Sequence, residues 1–451
     1  MYKTYQKPII NAFPDVKVSE PKISIFVLFL VKILSKFYLF SLIGFAKIVL
    51  HDDKILFDVF KRALNKESRC IIAFRHPDGR EPQILTYLFL FRLKKLAAKQ
   101  KIKLKRRAHA IFVYGYEVVR WGGALARFFM PNMGALPIHH TKMDSKGMER
   151  LYNAIYEGPY PLALAPEGQV SYSTDFVPRL ENGVVRIGFQ AASHMEQNDN
   201  GCPLEILPLS FHFRFSRSGK SAMFKLLKRV EKLCKLHNEN RKLSFEERLN
   251  KCREYILRIN EARYAIQTDS SLSFNERLEK TVETALVTSE RMLGIESEGD
   301  FFARLYKVRH LCWDRIFLPD EENLDKTVRV KRSVLDLKAG EAWHIARHQE
   351  LADFGWYFKH PLPNENTPLH QKVEYVQNLF DFANRTMGGA LSNRANIPPS
   401  KVIIKMGSPI NLTERLTQYK SDKRETINTT LSDLEKAYIN CIEEVNKKES
   451  N

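Results

Sequence analysis

Cys70-Ile71-Ile72-Ala73-Phe74-Arg75-His76-Pro77-Asp78-Gly79-Arg80-Glu81 is the stretch that decides how this chain folds. The first five residues form a short unbroken apolar run, the pattern of a buried strand. Pro77, Asp78 and Gly79 then turn the chain. His76 stands at the mouth of that strand, with the carboxylate of Glu81 five positions on. A histidine held in one tautomer by an acid can take a proton from a hydroxyl near neutral pH. Asp78 is a rival orienting acid. With Gly79 it also suits the turn and the cap of the next helix.

Outward from this stretch, short β-rich runs alternate with longer helical ones. Strands are expected at 70–74, 109–114, 135–139, 161–165 and 204–213, and helices near 82–99, 116–130, 145–157 and 182–195. In the third helix Met148, Leu151 and Ile155 form an apolar stripe that suits a sheet face. Alternation of this kind predicts an α/β fold, with a layered, largely parallel central sheet and flanking helices. Ligands of such sheets gather where strands end and helices begin. A second such junction is Leu162-Ala163-Leu164-Ala165-Pro166-Glu167-Gly168.

After Phe215 the chain turns helical and charged, and β character returns at Val402-Ile403-Ile404. Two segments echo each other, Leu243-Ser-Phe-Glu-Glu-Arg-Leu249 and Leu272-Ser-Phe-Asn-Glu-Arg-Leu278. Each reads as a capping box that starts a helix. Two copies do not make a repeat array, which needs at least three. The expected division is 1–60 as an N-terminal membrane-interface segment, 61–220 as the α/β core and 221–398 as a helical insertion. The last part, 399–451, supplies the final core strand and a C-terminal helix near 424–447.

Of the 451 residues, 44% are hydrophobic and 11% aromatic, enough for a real core and against a disordered chain. A net charge of +19 calls for an anionic partner. The six cysteines lack any Cys-x2-Cys pair and read as reduced thiols, not as a disulfide framework. The apolar segment 23–50 is interrupted by Lys32, Lys36 and Lys47. At about 100° per residue these lysines share one narrow arc of a helical wheel. That is the pattern of a helix lying in a membrane interface, with ammonium groups at the headgroups. A packed core helix is the bland alternative.

Taken in chain order, five elements resemble the glycerolipid acyltransferase family. They are His76-x4-Glu81, Gly134-Ala-Leu-Pro-Ile138-His139-His140, Pro166-Glu167-Gly168-Gln169-Val170-Ser171, Ile206-Leu207-Pro208-Leu209 and Gly407-Ser-Pro-Ile410. The matching region covers roughly 65–215 and 399–412. The resemblance implies an O-acyltransferase of phospholipid biosynthesis, membrane-associated at the cytoplasmic face. Its donor would be acyl-CoA or acyl-carrier protein, and its acceptor the hydroxyl of a lysophospholipid or glycerol phosphate. His76 would be the general base and Glu81, where the family has Asp, its orienting acid, with no covalent enzyme intermediate. Acceptor contacts would fall to Pro166, Glu167, Gly168, Gln169 and His140, with Arg75 and Arg80 as nearby cations. No metal or cofactor is expected, because a thioester is already activated.

Two departures matter. His140 and Val170 stand where the family carries arginines, and neither replaces a guanidinium's two-pronged grip on phosphate. They motivate an alternative: a catalytically silent membrane or lipid-binding protein with the same fold. The basic run from Lys94 to Arg107 fits anionic headgroups. It comes with no nucleic-acid motif, so no nucleic-acid partner is expected. His344 and His348 have zinc-like spacing but lack the His-Glu-x-x-His pattern.

Overall fold

A computed structural model of the chain describes residues 7–104, 107–139, 144–198, 201–237, 242–318, 328–389 and 394–450. Two units emerge. One is Val18–Phe215 with Pro398–Asn451; the other is the N-terminal residues to Lys17 with Ser216–Ile397.

The first unit is α/β. Its strands are β1 (Lys47–His51), β2 (Arg69–Phe74), β3 (Ile111–Gly115), β4 (Leu136–Ile138), β5 (Leu162–Leu164), β6 (Leu204–Arg214), β7 (Lys401–Met406) and β8 (Ile410–Asn411). They pair in the order β1-β7-β6-β2-β5-β3-β4, with β8 on β6. Every neighbouring pair along that path is parallel except β6 with β7, and β8 also runs antiparallel to β6. The sheet is therefore mostly parallel and flanked by helices.

Burial on both faces explains the apolar strands. Along β2, Cys70, Ile72 and Phe74 join one core with Phe57, Phe60, Leu85 and Phe89. Ile71 and Ala73 point the other way, into a core with Leu151, Val184, Phe189 and Tyr438. Each such side chain contributes roughly 1.5–3 kcal/mol by leaving water. Pro208 lies inside β6, where a proline is ordinarily excluded. It falls where the partner on that flank changes from β8, paired at 205–206, to β7, paired from 209 onward. Its carbonyl accepts the Gly407 N–H at 3.0 Å.

The N-terminal expectation needs correction. Residues 23–50 are not one helix: Ile25–Phe37 continues through a π-helical turn, Tyr38–Leu42, and Lys47–His51 is the edge strand β1. Gly44, at φ +87°, breaks the helix. Ile48 and Val49 suit a strand, and Lys47 pairs with Lys401 of β7. Only Lys32 and Lys36 remain on the helix, so the three-lysine arc does not exist. The boundary at 60 falls inside a buried helix, Asp53–Leu64. Residues 13–14 belong with the helical unit, where they pair with 317–318.

The helical unit contains Arg217–Leu233, Phe245–Arg263, Phe274–Leu293, Phe301–Ile316, Arg329–Tyr357 and Leu369–Thr386. Both expected capping boxes form, Ser244 with Glu247 and Ser273 with Glu276. The structure adds a third copy. Asp300 caps Phe301–Ile316, so Ser-Phe-x-x-Arg-Leu, Ser-Phe-x-x-Arg-Leu and Asp-Phe-x-x-Arg-Leu open three successive helices. In each copy the arginine reaches a buried glutamate near the end of the preceding helix. Arg248 bonds Glu231 at 2.6 Å, Arg277 bonds Glu261 at 2.8 Å and Arg304 bonds Glu290 at 2.8 Å. Those preceding helices close alike, with amides of Leu236, Ile266 and Ile295 returning to the carbonyls of Glu231, Glu261 and Glu290. The third copy escaped the sequence reading because Asp replaces Ser and Ala303 replaces the capping glutamate.

Removing one arm of such a pair strands a buried charge. Arg277→Ala is expected to lower unfolding free energy by about 3–5 kcal/mol, measured by denaturant titration. The Arg277 guanidinium holds the Glu261 carboxyl below its ordinary value, against the opposing effect of burial. A carboxyl depressed in the folded state stabilises fully above the unfolded pKa, and that stability is lost as pH falls through the folded value. Wild type is therefore expected to lose stability faster than Arg277→Ala below about pH 4.3.

Candidate active site

The two loops singled out in the sequence leave the same edge of the sheet. Strands β2 and β5 are parallel neighbours, Ala73 beside Leu164, so both C-terminal ends open together. The loops also touch. The Ser171 N–H donates to the His76 carbonyl at 2.9 Å, and Gly79 packs near the Val170 side chain.

Glu81 is the first residue of helix Glu81–Tyr87 and is fully buried. Its Oε2 accepts a hydrogen bond from His76 Nδ1–H at 2.6 Å. The same carboxylate accepts the Asp78 N–H at 2.7 Å and the Gly79 N–H at 2.8 Å. Gly79 aims its amide inward at φ +102°, a conformation open to glycine at little cost. The extra methylene of Glu over Asp lets one carboxylate at the helix start span both turn amides and the imidazole. Asp78 does not orient His76 through a hydrogen bond and does not cap the helix. Its carboxylate takes the Arg80 guanidinium, with Arg80 Nη2 at 2.6 Å.

With Nδ1 carrying the proton, Nε2 keeps its lone pair. Among the described residues Nε2 makes no hydrogen bond, and the His76 side chain is 19% exposed. The Phe74 ring buttresses the imidazole edge-on at 5.9 Å. Burial disfavours the imidazolium, but Glu81, with Glu167 and Asp78 further off, outweighs it and raises the imidazole above its ordinary 6.5. The arrangement is an imidazole oriented by a buried acid, with its second ring nitrogen open, which can chemically accept a proton from a hydroxyl.

Arg75 is not a cation facing an acceptor. It is 0% exposed and belongs to the interior. Its Nε donates to Glu167 Oε1 at 2.9 Å, Nη1 to the Thr174 carbonyl at 2.6 Å and Nη2 to the carbonyls of Ser173 and Phe176. A sheet buried on both sides places the first residue beyond β2 under the 167–176 loop. Glu167 is accordingly a partner of Arg75, itself buried, and not a surface contact. Arg80 is nearly buried, held by Asp78 and stacked over the Phe45 ring at 5.1 Å. Pro166 accepts the Glu181 N–H at 2.6 Å. Gly168, at φ +70°, and Gln169 are partly exposed on the loop.

His140 lies outside the described residues. His139 stacks on Tyr116 at 4.4 Å, at the end of β4. His344 and His348 go separate ways: His348 Nδ1 meets the Tyr264 hydroxyl at 2.8 Å, and His344 lies edge-on to Trp343. Among the described residues no cluster of three or more His, Cys, Asp or Glu side chains is set to hold a metal ion. An open groove of about 600 Å³ lies elsewhere, between helices Ser145–Tyr156 and Gly183–Gln197, lined by Tyr152, Tyr156 and His194 among others. No family model matches the chain, and no curated protein matches it significantly.

The Arg75–Glu167 pair is expected to hold the two loops together. Arg75→Ala should destabilise the protein by about 3–5 kcal/mol, because it orphans a buried carboxylate. Arg75→Lys should recover only part of the loss, since an ammonium cannot serve Glu167 and three separate carbonyls together. Thermal and denaturant melts would check both.

Proposed function

We propose that the chain is an O-acyltransferase that passes a fatty acyl group from a thioester to the hydroxyl of a lysophospholipid or glycerol phosphate. The observation carrying this reading is the His76–Glu81 pair, with Nε2 open and the Pro166–Ser171 loop bonded to the His76 backbone. The ordered motifs shared with glycerolipid acyltransferases support it. In the reaction Nε2 takes the acceptor's O–H proton as the oxygen attacks the thioester carbonyl. The tetrahedral intermediate then collapses, the C–S bond breaks, and the imidazolium returns the proton to the departing thiolate. Glu81 keeps the tautomer and offsets the imidazolium charge. Acyl-CoA or acyl-carrier protein is the donor, and Gly168 and Gln169 are the loop residues placed to meet the acceptor.

Membrane association is part of the proposal. Ile25–Leu42 is long and apolar enough by length and composition to cross a bilayer, with a mean hydropathy of 2.0 over its 18 residues. Its buried side packs on helix Glu81–Tyr87 and the π-helical turn beyond it, with Phe40 on Tyr87 at 5.4 Å. In this reading the helix lies along the interface. Its C-terminal turn leads toward Arg80 and the candidate site.

A second reading, a silent lipid-binding protein, is favoured by the cations. Arg75 is internal, and a phosphate would have to take Arg80 from Asp78. A panel of lysolipids and glycerol phosphate, assayed with labelled acyl-CoA and acyl-carrier protein, separates the two. Transfer is expected, and His76→Ala should cut it by roughly 10²–10⁴-fold with the fold intact. Full activity in that variant would reject the mechanism. A general base works when neutral, so kcat/KM should rise with pH through the His76 pKa, above 6.5. Glu81→Gln removes the charge that raises it, and the rising limb should move to lower pH as the maximal rate falls.

A further inference from the structure

Two helices of the α/β unit, joined end to end, carry exposed apolar side chains. On Ile25–Leu42 they include Phe26, 72% exposed, with Phe29, Ile33 and Phe37; on helix Gly123–Asn132 they are Leu125, 73% exposed, and Phe128, 53% exposed. The start of the first helix is tied to the end of the second. Ile23 bridges Met133, the Lys22 N–H donates to the Pro131 carbonyl at 2.8 Å, and the Ser24 N–H to that of Asn132 at 2.9 Å. Gly134 permits the approach, with φ +76° and space so tight that a Cβ there would sit 2.8 Å from Ile23 Cγ1.

Cations lie on or against both helices. Arg107 Nη1 reaches the Ile25 carbonyl at 3.5 Å, Lys36 and Lys95 both lie over the Phe91 ring, and Arg127 is exposed on helix Gly123–Asn132. A second copy of the chain would bring like charges together across such a face. An anionic leaflet neutralises them and accepts exposed Phe and Leu at the headgroup boundary.

We propose that Gly123–Asn132 is a second membrane contact, which with Ile25–Leu42 seats the α/β unit on an anionic phospholipid surface. The proposal deepens the membrane association above and rests on it, but not on the chemistry at His76. The test uses the full chain and phosphatidylcholine vesicles with and without phosphatidylserine, read by co-sedimentation. Wild type should favour the anionic vesicles. L125Q/F128Q, with an unchanged circular dichroism spectrum, should lose about tenfold in partition per side chain, on the order of a hundredfold together. F128W should be quenched by brominated phosphatidylcholine in the bound state.

Wild-type partition in the double variant, or a bound F128W without quenching, would overturn the proposal while leaving the first helix as the anchor. Loss of a dimer in the double variant without loss of vesicle binding would assign the face to a second copy and overturn it too. No binding by wild type would overturn both membrane readings. Transfer to acceptor dispersed in detergent should be unchanged in L125Q/F128Q; its loss would show that the helix serves the site and not the membrane.

Discussion

A buried ion pair holds the candidate site together. Arg75 continues the β2 ladder through its own N–H to the Leu209 carbonyl, and its side chain then gathers Glu167 and the carbonyls of Ser173, Thr174 and Phe176. In a medium of low polarity, neither charge can be left alone without a large penalty. The loop after β5 is therefore fixed against the end of β2, and His76, the next residue along, inherits that position. The imidazole is placed by the interior of the protein rather than by its own contacts alone.

Glu81 supplies the rest of the constraint. It closes its own turn through two amides and holds Nδ1–H with the same carboxylate, so the turn, the helix start and the tautomer are one structure. Burial makes that carboxylate act on His76 with little screening by water. Because the buried acid is held by the two turn amides as well, the imidazole is oriented with no further rearrangement. The helix that begins at Glu81 also carries Tyr87, on which the apolar N-terminal helix packs. Site and apolar face thus share one rigid element.

The helical unit follows a different logic. Its corners repeat one device: a phenylalanine after the cap, then an arginine one turn into the helix that reaches back to a glutamate closing the helix before it. Each such glutamate is almost fully buried. Buried pairs of this sort specify which helix ends meet, since a wrong pairing would strand a charge. Two copies were legible because their capping boxes share Ser and Glu. The third was not, because a cap depends on a side-chain oxygen at the right place, and aspartate provides it as well as serine.

Local chemistry made much of the molecule readable. Apolar runs at 70–74 and 161–165, a turn of Pro, Asp and Gly, and a histidine followed by an acid are short-range patterns, and they located the two strands and the His76–Glu81 pair. Long-range partners set the remainder. Lys47–His51 looked like the tail of an apolar helix until β7, some 350 positions away, paired with it. Arg75 looked like a free cation, and only the 167–176 loop folded over it makes it an internal support. The exposed faces of Leu125 and Phe128 have the composition of core residues, and nothing nearby in the chain marks them as uncovered. Sequence by itself determined the alternation of strands and helices and the acid–imidazole pair, because those depend on neighbours within a few residues. Tertiary structure alone decided which charges are buried and which apolar faces are bare, because exposure depends on what the distant chain lays on top.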